Sequence, residues 1–200
     1  MRPLLASAAL RSGRRRAVRS LRSGAGVSPL RARLAGIGIA ALVCAVDQWL
    51  KVFVTRTLGI DKVGEHIDVL PIFALRFTRN YGVSLGMFEA DSEDMRWILV
   101  GVTALIALGV FVWIMREKLL GDIFGLALIL GGALGNIYDR YSYGYVIDYA
   151  DLHFGAFRPF LIFNVADAAI TIGVLIILAR SFLMREKRGD KEPGVRPAES

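Results

Sequence analysis

The sequence predicts an all-α polytopic membrane protein in which four transmembrane helices carry a small extracytoplasmic β-sheet. Three observations lead there. Of the 200 residues, 54% are hydrophobic, and the mean hydropathy is +0.49. The apolar residues gather into four runs, at about 34–54, 97–115, 122–138 and 160–183. Lys and Arg are shared unequally among the segments that join them. Each run approaches the ~20 residues that span ~30 Å of hydrocarbon at 1.5 Å per residue. None shows the polar stripe of a helix facing water, which argues against a soluble bundle. This composition also excludes a disordered polyelectrolyte, and one cysteine excludes a disulfide-stapled domain.

Residues 1–33 form a basic extension with nine Arg and no acid. It resembles a targeting peptide, but the run that follows carries Asp47, Gln48 and Lys51 and no small-residue cleavage site, so a retained helix is expected. Residues 34–183 are expected to form one membrane domain. Within it, 55–94 lie outside the bilayer, and IDVLPIFALRF at 67–77 is β-prone and broken by Pro71. That pattern predicts an antiparallel sheet on the outer membrane surface. The acids at 89–94 then suit the start of a helix near Arg96. The third run is short and holds Gly125, Gly131, Gly132 and Gly135; Gly131 and Gly135 form a small-xxx-small pair that lets helix backbones approach closely. A polar tail occupies 184–200.

Charge sets the expected orientation. The first 33 residues and the tail from Arg180, with six basic residues, contrast with 51–96, which hold six basic and seven acidic residues. Both termini are therefore expected on the cytoplasmic side. The pI near 9.9 reflects termini facing an anionic leaflet, so membrane lipids and not nucleic acid are the expected partners.

Carboxylates in or beside spanning segments mark function by default. Asp47, Asp139, Asp148 and Asp167 are expected at one depth near the outer face, with Asp167 seven residues inside run four. Asn136, Asp139 and Arg140, and separately Asn164 and Asp167, share helix faces at i, i+3 and i+4. Two facing carboxylates share one proton, giving a base and an acid that can activate water against a peptide bond. Asp139 rivals Asp148 as the partner of Asp167. A guanidinium beside Asp139 favours its ionised form, whereas Val146, Ile147 and Tyr149 give Asp148 an apolar setting that suits proton sharing. Cys44 reads as a packed thiol, Ser84 has no evident base, and no cofactor is expected. His66 and His153 lack ligand spacing; His153 near Asp148 and Asp151 is the only metal candidate, and no metal is expected. A small cation-binding transporter using the acidic cluster is the alternative, although the inner halves of the first and fourth runs offer no polar path. Trp49, Tyr138, Tyr141, Tyr143, Tyr145 and Tyr149 are expected as an interfacial aromatic belt.

Five blocks, DQWLK at 47–51, NYGVSLG at 80–86, GGALGNIYDR at 131–140, VIDY at 146–149 and FNVADAAI at 163–170, resemble those of the bacterial lipoprotein signal peptidases. The resemblance implies an intramembrane aspartyl endopeptidase of the bacterial cytoplasmic membrane, with its site near the outer face. Such an enzyme removes signal peptides from lipid-modified prolipoproteins, cutting before a cysteine that bears diacylglycerol. It implies Asp148 and Asp167 as catalytic. Asp47, Lys51, Asn80, Gly82, Asn136, Asp139, Arg140 and Asn164 fall at substrate-binding or site-shaping positions. A monomer is expected. Val83, Ser84 and Leu85 depart from the family's usual Ala-Ala-aromatic, and the basic extension is longer than usual.

Overall fold

A computed structural model describes residues 28–82, 93–155 and 157–189, with side chains to residue 183. The extension as far as residue 27, Val83, Ser84 and Leu85, Glu89 and Asp91 of the acidic stretch, and the end of the tail lie outside the described residues.

Helix α1 (Pro29–Val52) starts five residues before the apolar run, because Ser28 caps it and Pro29 supplies a preset first turn. It continues as a wider π-helical turn, Phe53–Thr57. Strands β1 (His66–Leu70) and β2 (Phe73–Asn80) form an antiparallel hairpin, with Pro71 in its turn. Helix α2 (Glu93–Arg116) opens with Glu93 and Asp94 in its first turn. Helix α3 (Leu120–Tyr143) has 24 residues, longer than its apolar run, and ends on Gly144 at φ 86°, a left-handed cap. Strand β3 (Val146–Leu152) pairs antiparallel with β2, giving the order β1-β2-β3. Helix α4 (Val165–Gly189) is the last element among the described residues.

Two boundaries correct the expectations. The sheet is not confined to 55–94, since its third strand comes from the segment after α3. Helix α4 begins at Val165 and not at 160, so Asp167 lies in its first turn and not two turns inside; it also runs past 183 into the expected tail.

All four helices are long and apolar enough to cross a membrane, and α3 is central: half of its spanning stretch is buried, against 11–22% for the others. Its glycines explain how. A Cβ at Gly131 would fall 2.5 Å from the Ala40 carbonyl oxygen of α1, and one at Gly132 would collide with the Ala166 carbonyl of α4. Leu105, Ile106, Leu175 and Phe182 are exposed, as suits a lipid-facing surface.

The apolar interior has two parts. One joins α1, α2 and α3 through Ala40, Ala107, Ile114 and Leu126. The other joins the end of α1 to the sheet through Val54, Phe77, Ile147 and Tyr149. Tyr149 is thus buried and does not belong to an interfacial belt, whereas Trp49, Tyr138, Tyr141 and Tyr143 are exposed. Along α1, Asp47 and Lys51 fall between Ala40 and Val54, so a polar layer separates the two clusters.

Candidate active site

The polar layer is built on α1 and α3. Asp47 and Lys51 are one helical turn apart, and Lys51 Nζ lies 2.7 Å from Asp47 Oδ2 and 2.7 Å from Asp139 Oδ2. All three side chains are at most 2% exposed. Gln48 Nε2 donates to Asp139 Oδ1 at 2.8 Å and to the Gly135 carbonyl at 3.2 Å. The remaining capacity is met by backbone: Ala166 N–H donates to Asp47 Oδ1 at 2.9 Å, and Ile147 N–H to Asp139 Oδ2 at 3.0 Å. Such saturation is what makes buried charge tolerable. It also positions chain, because Asp47 holds the N-terminus of α4 and Asp139 holds the start of β3. A Cβ at Gly135 would lie 2.7 Å from Asp47 Oδ2, so this packing needs glycine.

The cation beside Asp139 is therefore Lys51 and not Arg140. The strongest electrostatic partners of Arg140 are Asp167 and Asp148, ahead of Asp139. Its Nε is buried without a hydrogen-bond partner among the described residues. Gly82, at φ 86°, sits against the guanidinium, and an added Cβ would fall 3.2 Å from Nη2.

Asp148 and Asp167 come together by a different route. Asn164 is the N-cap of α4: its Oδ1 accepts from Asp167 N–H at 2.9 Å, and Asp167 Oδ2 accepts from Asn164 N–H at 3.2 Å. This reciprocal pair is a capping box with Asp in the place of the usual Glu. Asn164 Nδ2 then donates to Asp148 Oδ1 at 2.7 Å, so one residue holds both carboxyl groups. Asn136 Nδ2 donates to Asp167 Oδ1 at 2.8 Å. Asn80 also hydrogen-bonds Asp148, while its Oδ1 accepts from Gly82 N–H at 2.8 Å. Burial, and next the neighbouring charge of Asp167, push the Asp148 carboxyl up from the ordinary carboxylate range to about 7.

The structure thus brings Asn80, Gly82, Asn136, Arg140, Asp148, Asn164 and Asp167 to one place, beside Asp47, Lys51 and Asp139. His153 stands apart with Asp151, whose carboxylate is engaged by Arg76 and Arg158, each at 3.1 Å. No group of three side chains that could hold a metal occurs among the described residues. Sequence reasoning missed the part played by Gln48, although it lies inside the first motif, and the α4 boundary. The Asn-x-x-Asp of the capping box was the signal for the latter.

Asp148 opens into a groove of about 570 Å³ between the end of β2 and residues 158–162. Amide-held carboxyl groups at the head of an open groove can activate a water against a bound polar bond.

A sequence model of the signal peptidase (SPase) II family matches residues 39–183. A lipoprotein signal peptidase of Sphingopyxis alaskensis is 50% identical over 162 residues, covering 80% of this chain and 93% of its own. One from Caulobacter vibrioides is 37% identical over 151 residues, covering 75% and 88%. A solved bacterial membrane enzyme superposes with a TM-score of 0.65 at 27% identity, covering 81% of this chain and 94% of that one.

Proposed function

From the premise that the chain belongs to the signal peptidase II family and is a protease, we propose that it cuts signal peptides from prolipoproteins by an aspartyl mechanism, just before a diacylglyceryl-modified cysteine. The family match favours this over the cation-binding transporter. Four apolar helices and bacterial relatives make it a multi-pass protein of the bacterial inner membrane. The charge asymmetry supports both termini on the cytoplasmic side and the site near the outer face. The proposed enzyme works as a monomer with lipid around it.

The single observation that carries the mechanism is Asn164, which donates to both Asp148 and Asp167. Asp167, in the first turn of α4, accepts from Asn136 Nδ2 and from the Asn164 N–H and serves as the base. Asp148, whose carboxyl holds its proton to about pH 7, serves as the acid. A water between them gives a proton to Asp167 as its oxygen attacks the scissile carbonyl carbon, and Asp148 protonates the carbonyl oxygen. When the tetrahedral intermediate collapses, the C–N bond breaks, the proton on Asp167 passes to the leaving amine, and Asp148 recovers its own from a hydroxyl. Asn80, Gly82 and Arg140 line the approach; Asp47, Lys51 and Asp139 fix the elements that carry the pair.

The test compares wild type with Asp148→Asn, Asp167→Asn and Asp139→Asn on a diacylglyceryl-modified precursor and its unmodified counterpart. Cleavage restricted to the lipidated precursor is expected, with a loss of about 10³-fold or more in the first two variants and residual activity in the third. Activity retained by Asp148→Asn, with Asp139→Asn inactive, would reassign the acid. Cleavage of neither precursor by wild type would remove the protease reading.

A further inference from the structure

The groove that leads away from Asp148 carries an uneven charge. Among the described residues lining it, Arg79 and Arg158 are cationic, and Asp148 is the one carboxyl group. Both arginines are held in place. Arg79 lies over the Tyr145 ring with its guanidinium carbon 5.0 Å from the centroid. Arg158, which lines the groove, uses Nε on both oxygens of Asp151, at 3.1 and 3.2 Å. Asp151 cannot neutralise this surface, because it is shared with Arg76 at 3.1 Å. Arg76, Arg79 and Arg158 against Asp151 leave two positive charges. The groove is also built wholly from parts outside the spanning helices, namely the end of β2, β3 and the segment before α4.

Resting on the signal-peptide cleavage proposed above, we infer that this groove receives the first residues of the mature chain, and that Arg79 and Arg158 select precursors with acidic side chains directly after the lipidated cysteine. The signal peptide is apolar and stays in the bilayer, so the portion of substrate that leaves toward the sheet is the mature side. An acidic side chain there meets two preplaced guanidinium groups, whereas Lys or Arg meets like charge. The pairs are solvent-accessible, so each acidic residue raises kcat/KM by about three- to fivefold over its amide counterpart, and the preference shrinks as salt rises.

The experiment uses three diacylglyceryl-modified precursors that differ only in the two residues after the cysteine: Asp-Asp, Asn-Asn or Lys-Lys. Full-length protein in vesicles of neutral lipid should cut them in that order. Because each enzyme is read by the ratios among its own three rates, a variant that is simply less active does not confuse the result. Arg79→Gln should roughly halve the logarithm of the Asp-to-Lys ratio, and Arg79→Glu, an exposed change that spares the buried Asp151 contacts, should bring the ratio to one or invert it. Equal wild-type rates on all three precursors would overturn the inference and leave the protease standing, as would an undiminished preference in Arg79→Glu. Equal rates that rise together when anionic lipid is added would also overturn it, assigning the arginines to headgroups. No cleavage of any precursor would instead strike the proposed function itself.

Discussion

Two pairs of carboxylates lie side by side at the end of this helix bundle that carries the sheet, and they are solvated by the protein in opposite ways. Asp47 and Asp139 share one ammonium at 2.7 Å each; the second oxygen of Asp47 takes the Ala166 N–H, that of Asp139 takes the Gln48 amide, and the Ile147 N–H joins Lys51 on the first oxygen of Asp139. Asp148 and Asp167 have no cation within ion-pair distance among the described residues and are held by the neutral amides of Asn80, Asn136 and Asn164. Beyond ion-pair distance Asp148 still feels the charges of Lys51 and Arg140. Pairing with a fixed cation gives a carboxylate a permanent structural task, while amides alone leave a like-charged neighbour to decide where a proton resides. On this reading the first pair holds α4 and β3, and the second is free to exchange protons.

The strongest way to break the comparison is to take away the cation. Lys51→Met leaves two carboxylates buried and facing each other, and losing one partner of such a network costs about 3–5 kcal/mol. Thermal unfolding in detergent should show a large drop in midpoint, with activity lost through misplacement of β3 and α4. A stability close to wild type would mean that the lysine-held layer is not structural.

A milder test sharpens the other half. Asp148 must be protonated to act as the acid, and its carboxyl is raised to about 7. Activity should therefore fall about tenfold per unit as pH rises above 7. The sign is the same for stability: the folded state binds this proton more tightly than the unfolded chain, so the contribution is present below about pH 4 and is lost as pH rises through 7. Asn80 stabilises the ionised form, so Asn80→Ala should move the alkaline limb of the kcat profile to higher pH. A limb that stays in place would show that Asp148 is not the group being titrated.

Much of this arrangement was legible in the residues and some was not, for physical reasons. Uninterrupted apolar runs announced four helices, and glycines at 131, 132 and 135 announced close packing of the third, because both are local consequences of side-chain size and polarity. The start of α4 was misread because Phe160, Leu161 and Ile162 are as apolar as a helix. What stops the helix there is the Asn164–Asp167 capping box. β3 went unread as a strand because its partner, β2, is distant in sequence. The cation of Asp139 was assigned to its neighbour Arg140, when proximity along the chain mattered less than α1 crossing α3 closely enough, at Gly131 and Gly135, to deliver Lys51.

The smallest effect separates charge from hydrogen bonding within the lysine-held pair. Gln48 contributes no charge but an amide whose shortest hydrogen bond reaches Asp139 Oδ1 at 2.8 Å. Gln48→Met keeps the length and removes the donor, while Lys51 and the Ile147 N–H remain on the other oxygen of Asp139. If the ammonium is what holds the layer together, the variant should lose chiefly the hydrogen bond to the charged Asp139, about 1.5–3 kcal/mol, because the Gly135 carbonyl that Gln48 also reaches keeps its place in the hydrogen-bond ladder of α3. It should also keep its pH profile, because neither member of the amide-held pair is touched. A loss as large as that of Lys51→Met would mean that the layer behaves as one cooperative network. The contrast between a cation-held and an amide-held pair would then be a contrast of position and not of chemistry.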